Sequence, residues 1–222
     1  MSIYYLIPIL VILGVIVYYI YYIAPRINPL TKAENYLSQN MLDEAILEYK
    51  RILDDDPENF LVHYKLGKLY YKMENIDEGV IHFEEVMKIN KFNFEVEKIN
   101  VMRSLAESYL MSDNLESAFQ FYFDIVNMYP NDEEALYHVS FMSLGQELFE
   151  ISKKFFDRLV KVSKKNFEIL FGAGMASYQE QKNNEAVEYF KEALVHDPHS
   201  DIGNLAISFA LQRKGDFKTA VN

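Results

Sequence analysis

Cysteine is absent from this chain, which removes thiol nucleophiles, thiolate metal ligands and disulfide cross-links from the chemistry open to it. The absence does not choose a compartment, because cysteine-free proteins occur on both sides of a membrane. Glycine and proline are sparse as well, 8 and 6 in 222 residues. A β-rich fold needs more turn residues than that, so the composition points to an all-α chain. Cations are in deficit: 22 Lys and Arg stand against 33 Asp and Glu, for a net charge of −11. Each contact with a nucleic-acid backbone needs a cation, so nucleic acid is not an expected partner. No nucleophile sits in a recognisable catalytic setting, no glycine loop suits a phosphate, and no spacing enforces an acid pair. Neither catalysis nor a cofactor nor a metal is expected.

What the chain has is apolar surface and a period. Half of it is hydrophobic and 15% aromatic, enough for one continuous helical core. Frames beginning at Arg26, Phe60, Ile99, Glu133, Phe167 and Asp201 follow one another at steps of 34, 39, 34, 34 and 34 residues. Ala33, Tyr36, Ala45, Tyr49, Ile52 and Pro57 hold positions 8, 11, 20, 24, 27 and 32 of the first frame. Gly67, Tyr70, Gly79, Phe83 and Val86 answer in the second, Ala106, Tyr109, Ala118, Tyr122, Ile125 and Pro130 in the third, and Gly174, Ala186, Phe190, Ala193 and Pro198 in the fifth. Small residues at 8 and 20 let two antiparallel helices approach closely, while large ones at 11 and 24 fill the space beside each contact.

These residues resemble the tetratricopeptide repeat (TPR) over residues 26–222, most clearly in repeats two, three and five. The resemblance implies an all-α solenoid of five helix-turn-helix repeats and a partial sixth. Repeat four departs, with Ser140, Ser143 and Ser152 at positions 8, 11 and 20, and is expected to pack less tightly. The five extra residues Phe94 to Lys98 are expected to lengthen the first helix of repeat three, because Phe94, Val96, Ile99 and Met102 continue one face. Turns are expected at Glu74-Asn75, Asp113-Asn114 and Gly215-Asp216.

Residues 1–25 read differently. Ile3 to Ile23 is a run of 21 uncharged residues, long enough as a helix to cross roughly 30 Å of hydrocarbon. Tyr4 and Tyr5 flank one end and Tyr18, Tyr19, Tyr21 and Tyr22 the other, where amphipathic rings settle among headgroups. The competing reading is a cleaved signal peptide, against which stand the missing basic n-region and the Ala24-Pro25 sequence; a buried core helix is the third. Arg26 and Lys32 follow the run and no cation precedes it, which favours a cytoplasmic repeat domain on a bacterial inner membrane over a periplasmic one. Pro25 and Pro29 interrupt the helix, and Thr31 with Glu34 forms a capping box expected to restart it.

In TPR arrays, positions 2, 5, 9, 12 and 13 of the first helix line a concave groove. Carried over by register, the resemblance implies a partner-binding surface of Tyr64, Lys68 and Tyr71; Arg103, Glu107 and Leu110; Tyr137, Phe141 and Leu144; Phe171, Met175 and Tyr178; and Leu205, Phe209 and Arg213. Such rings suit an amphipathic helix or an extended peptide, and the alternative is that some of them pack against neighbouring helices. The clamp with which chaperone-binding TPR domains hold a C-terminal carboxylate is absent, since Leu30, Glu34, Lys65, Asn100 and Ser104 occupy its positions.

Other clusters read as surface. The acids of Asp54-Asp55-Asp56-Pro57-Glu58 and Asp132-Glu133-Glu134 fall at inter-repeat turns, where they stabilise helix N-termini, and His196 and His199 read as loop residues. Lys153, Lys154, Arg158, Lys161, Lys164 and Lys165 read as a solvated outer face, with an acidic partner or anionic lipid as the alternative. Repeat six stops early, so Ile207, Leu211 and Phe217 are expected to leave an apolar edge that a second protomer, a partner or further chain covers. The layout is similar to LapB-type envelope regulators, which end in a cysteine-bearing module that this chain lacks, and to TPR proteins of the spirochaete flagellar collar. The first implies a membrane-anchored adaptor, the second a structural subunit of an envelope machine.

Overall fold

The computed structural model of the chain describes residues 3–18 and 28–215. Among them twelve α-helices follow one another with no strand between. They sort into two compact units, Met1–Val101 and Met102–Asn222. The first contains α1 (Ile3–Tyr18), α2 (Pro29–Ser38), α3 (Leu42–Asp55), α4 (Phe60–Lys72) and α5 (Ile76–Ile89). The second contains α7 (Leu115–Met128), α8 (Glu133–Gly145), α9 (Phe149–Val162), α10 (Phe167–Gln179), α11 (Asn183–His196) and α12 (Asp201–Lys214), and α6 (Lys98–Met111) runs across the boundary. From α2 to α5, and from α7 to α12, each helix packs on its successor.

One turn recurs between the paired helices. The backbone N–H of Met41 donates to the carbonyl of Tyr36, Asn75 to Tyr70, Asn114 to Tyr109, Leu148 to Ser143 and Lys182 to Ser177, all at 2.8–3.0 Å. This bond closes a helix C-terminus only when the residue before its donor is left-handed. Asn40, Glu74, Asp113, Glu147 and Gln181 fill that place with φ between 58° and 60°. Gly215, 34 residues after Gln181, is left-handed in its turn. Starts of the repeats are set by side chains: Asn59, Asp132, Asn166 and Ser200 accept from the N–H groups of Val62, Ala135, Ile169 and Gly203, supplying helix donors with partners they otherwise lack.

The small and large positions meet as the period requires. A Cβ on Gly67 would lie 2.7 Å from the Phe83 ring, and one on Gly174 would lie 2.5 Å from Phe190. Ala33 and Tyr49 are fully buried in the core of the first unit with Ala45, Val62, Leu66, Leu69 and Tyr70. Burying a ring of this size contributes about 2–3 kcal/mol, provided the facing residue is small enough to admit it.

Four expectations need correction. Of the five extra residues only Lys98 joins the first helix of repeat three, which begins there, and Phe94 to Glu97 do not extend it; Asn93 folds the segment instead, its Oδ1 accepting from the N–H groups of Glu95 at 2.9 Å and Val96 at 2.8 Å. That local bond competes with the helix, and Val96 is buried while Phe94 is 92% exposed. The helix restart is capped by Asn28, with Pro29 in the first turn, rather than by Thr31. Repeat four is closely packed, because Ser140 and Ser152 are as fully buried as the alanines elsewhere and the Ser152 hydroxyl donates to the Ser140 carbonyl at 3.0 Å. At the end of the array Leu211 is buried and Ile207 packs partly against the same core, so neither forms an exposed edge.

Helix α1 is uncharged and apolar, and residues 11–18 are exposed. No helix among the described residues is long and apolar enough to cross a membrane. Residues 19–23 of the expected span, Arg26, and the second helix of repeat six from Phe217 lie outside the described residues.

Candidate functional site

In the first unit, Tyr64, Lys68 and Tyr71 from α4 come together around a concavity of about 620 Å³. Glu34 and Leu37 of α2, Tyr49 of α3, Lys65, Leu69 and Lys72 of α4, and Glu95 complete its walls. Lys65 Nζ lies 3.1 Å from Glu34 and 2.8 Å from Glu95. Burial alone would lower the lysine's pKa, but hydrogen bonds to Glu95 and Glu34 outweigh it and raise the value. Lys68 Nζ stands 5.7 Å above the Tyr64 ring, which in turn packs on Phe83. The surface is cationic and aromatic, with its carboxylates already engaged.

In the second unit the polar groove residues are largely committed to neighbouring repeats. The Arg103 guanidinium pairs with Asp132 at 2.8 Å and with Glu134, and Glu107 is one of the charges acting on Glu134, whose pKa burial holds up. The Tyr137 hydroxyl donates to Glu168 at 2.6 Å, and burial with this bond pushes its pKa up to about 12. Arg103 to Glu134 and Tyr137 to Glu168 are the same bond drawn twice, position 5 of one repeat to position 2 of the next. Phe141 packs between Tyr137, tilted at 4.6 Å, and Phe156, in an edge-to-face contact at 4.9 Å. Arg103 and Tyr137 hold repeat to repeat, and Phe141 packs between rings of repeat four.

Phe171, Met175, Tyr178 and Phe209 gather differently. With Phe190, Ile202, Leu205 and Ala206 they line a wholly apolar pocket of about 220 Å³ between α10, α11 and α12. Arg213 does not line it but packs on Tyr178, its guanidinium 4.5 Å from the ring and donating to the Tyr178 carbonyl at 3.0 Å. Ile202, Leu205 and Phe209 remain 57%, 54% and 49% exposed. The apolar edge expected at the end of the array is therefore present, but carried by these three residues. Ile202 occupies position 2 of its repeat, and the register alone would have named it.

Sequence reasoning missed Tyr49 and Glu95 as walls of the first concavity. Tyr49 was assigned wholly to the core, and Glu95 lies in the segment that breaks the period. It also missed a buried pair of histidines, His63 and His82, with Nδ1 atoms 2.9 Å apart. The basic stretch is not uniformly solvated: Lys153 is buried between Asp157 at 2.7 Å and Glu185 at 2.8 Å, and Arg158 donates to the Pro130 carbonyl, while Lys154, Lys161 and Lys164 are exposed. Among the described residues no group of three or more His, Asp and Glu is placed to hold a metal ion.

Comparison with known proteins agrees with the repeat fold. A TPR repeat family model matches residues 33–74, and a tetratricopeptide repeat model matches residues 61–93 and 167–195. A 94-residue stretch is 28% identical to the Hsp70-Hsp90 organising protein of Plasmodium falciparum (isolate 3D7), covering 41% of this chain and 16% of that protein. Among solved structures, YrrB, a TPR protein with an unusual peptide-binding site, superposes with a TM-score of 0.63 at 18% identity over 85% of this chain and 91% of its own. MamA AMB-1 does so at 0.62 and 16% identity, over 75% and 88% respectively. A tetratricopeptide repeat protein from Parabacteroides merdae ATCC 43184 gives 0.59 at 17%, over 86% and 74%. The chain carries tetratricopeptide repeats, with matches to the repeat in both of its units.

Proposed function

We propose that this chain is a membrane-anchored adaptor that binds a partner protein and positions it at a bacterial cell envelope. Tetratricopeptide repeats are protein-interaction modules, and the observation that carries the reading is the apolar pocket of α10 to α12. Three large side chains stand half exposed around it, and its walls present no polar surface to the pocket. An apolar residue of a docked helix or peptide fits such a pocket, since rigid aromatic walls give contact area at little entropic cost. Anchoring rests on the uncharged run from Ile3 to Ile23, of which α1 covers 16 residues, and a cytoplasmic repeat domain rests on the cations that follow it.

A photo-crosslinking side chain placed at position 209 should trap a partner in native membranes, whereas the same group at position 188, on α11 outside the pocket, should not. Equal trapping at both sites, or none at 209, would assign the pocket to no partner. The anchor is tested by a high-pH carbonate wash: retention is expected, and release of the full chain contradicts it. The exposure of Ile202, Leu205 and Phe209 also favours a second reading, a permanent subunit of an envelope assembly. Light scattering separates the two, because a recruiting adaptor is monomeric once residues 1–25 are removed.

A further inference from the structure

The residues that break the 34-residue period place an acid in the concavity of the first unit. Glu95 reaches Lys65 at 2.8 Å from the segment between α5 and α6, and Asn93 pins that segment through the N–H groups of Glu95 and Val96. Val96 is buried beneath it, so the carboxylate is presented from a fixed place. Beside Lys65 lies Tyr49, fully buried on α3, whose hydroxyl has no hydrogen-bond partner among the described residues. Tyr49 lines the concavity together with Lys65, Glu34 and Glu95. A buried hydroxyl left unpaired is costly, and a ligand that pairs it recovers that cost.

Lys65, Lys68 and Lys72 follow at the spacing that shares one helix face, and all three line the concavity. Lys72 makes no ion pair among the described residues, and Lys68 rests on the Tyr64 ring. In a chain of net charge −11 this is a local cationic surface, with Glu34 and Glu95 as the carboxylates in its lining. Without Glu95 three lysines would face one carboxylate. Phe94, 92% exposed, stands next to the acid and offers an apolar contact to whatever displaces it.

We propose that this concavity binds an acidic segment of a partner protein and that Glu95 is a built-in competitor, which a partner carboxylate replaces at Lys65 within reach of the Tyr49 hydroxyl. The proposal rests on the reading of the chain as a protein-binding adaptor and gives that adaptor a second, chemically different contact. Charge complementarity selects the occupant: a basic segment would meet the three lysines.

The test titrates a fluorescein-labelled deca-glutamate peptide into the full-length chain in detergent, read by anisotropy, with deca-lysine as the opposite-charge probe. Glu95→Gln should bind deca-glutamate about tenfold more tightly, because the competitor is gone while Glu34 still holds Lys65 in place. Lys68→Gln combined with Lys72→Gln should weaken it by about the same factor. Tyr49→Phe should weaken it without lowering thermal stability, since the hydroxyl it removes has no partner in the unbound protein. Unchanged or weaker binding in Glu95→Gln overturns the competitor. Wild-type affinity in the lysine variant, or equal binding of deca-lysine, overturns the acidic ligand. Partner capture that fails while the peptide pattern holds sinks the adaptor reading alone, and the reverse sinks the acidic site alone.

Discussion

Glu147 and Gln181 hold ordinary side chains in the left-handed region, where Cβ crowds the following carbonyl at a cost of about 1 kcal/mol. Gly215 fills the equivalent place without that cost. Glu147→Gly is therefore expected to raise stability by up to about 1 kcal/mol, read as a shift in the urea midpoint, despite the glycine's greater freedom in the unfolded chain. A lowered midpoint would mean that the turn is not under strain. The turn positions were legible in part: Asn, Glu, Asp and Gln share no chemistry that marks a left-handed residue, and only the spacing reveals them. The histidine pair was not legible, because His63 and His82 lie in different helices and meet only through packing. Since the Pro57 carbonyl must accept from His63 Nε2–H at 3.0 Å, His63 Nδ1 is left to accept from His82. Burial, then His63 and Lys50, hold the His82 pKa down to about 4 from 6.5, with Glu85 opposing. A depressed histidine stabilises the fold above the unfolded pKa and loses that stability as pH falls from 6.5 towards 4, by on the order of 3 kcal/mol at most. His82→Gln should flatten the fall in urea stability between pH 7 and pH 4.5; a slope equal to the wild type's would place the titration elsewhere.

At the scale of the helix pair, close approach is set by one small residue against one ring. Gly174→Ala would bring a Cβ to 2.5 Å from Phe190, which is 1% exposed and has nowhere to move, so a loss of about 1–3 kcal/mol is expected in thermal or urea unfolding. A neutral result would mean that α10 and α11 can separate freely. Asn166→Ala should cost about 1 kcal/mol through the lost bond to the Ile169 N–H at 2.9 Å. Pairing of this kind was legible because it repeats: Gly67 with Phe83, and Gly174 with Phe190, occupy the same two positions. Ser140 and Ser152 depart from the small residues of the other repeats in name more than in size, because a buried serine whose hydroxyl finds a backbone carbonyl fills nearly the volume of an alanine. Phe94 to Glu97 misled for a different reason. Their apolar spacing fits a helix, but the Asn93 side chain satisfies the backbone first, and that preference carries no period.

For the molecule as a whole, the groove expected from register separates into residues engaged by their neighbours and residues left to bind. Arg103, Tyr137 and Phe141 are occupied by Glu134, Glu168 and Phe156, so their removal tests folding as much as binding. Phe171, Met175, Tyr178 and Phe209 line an apolar pocket, and Tyr64, Lys68 and Tyr71 a cationic one. The register could name the positions but not divide them, because the acids that engage Arg103 and Tyr137 come from the following repeat. The central claim is that a partner protein docks through the pocket of α10 to α12, and the most direct measurement is the affinity of a crosslinked, identified partner for the full chain against Leu205→Ala combined with Phe209→Ala. Both side chains are half exposed, so circular dichroism should be unchanged, while binding should weaken by on the order of 2 kcal/mol, about thirtyfold. Wild-type affinity in the folded double variant would contradict the account.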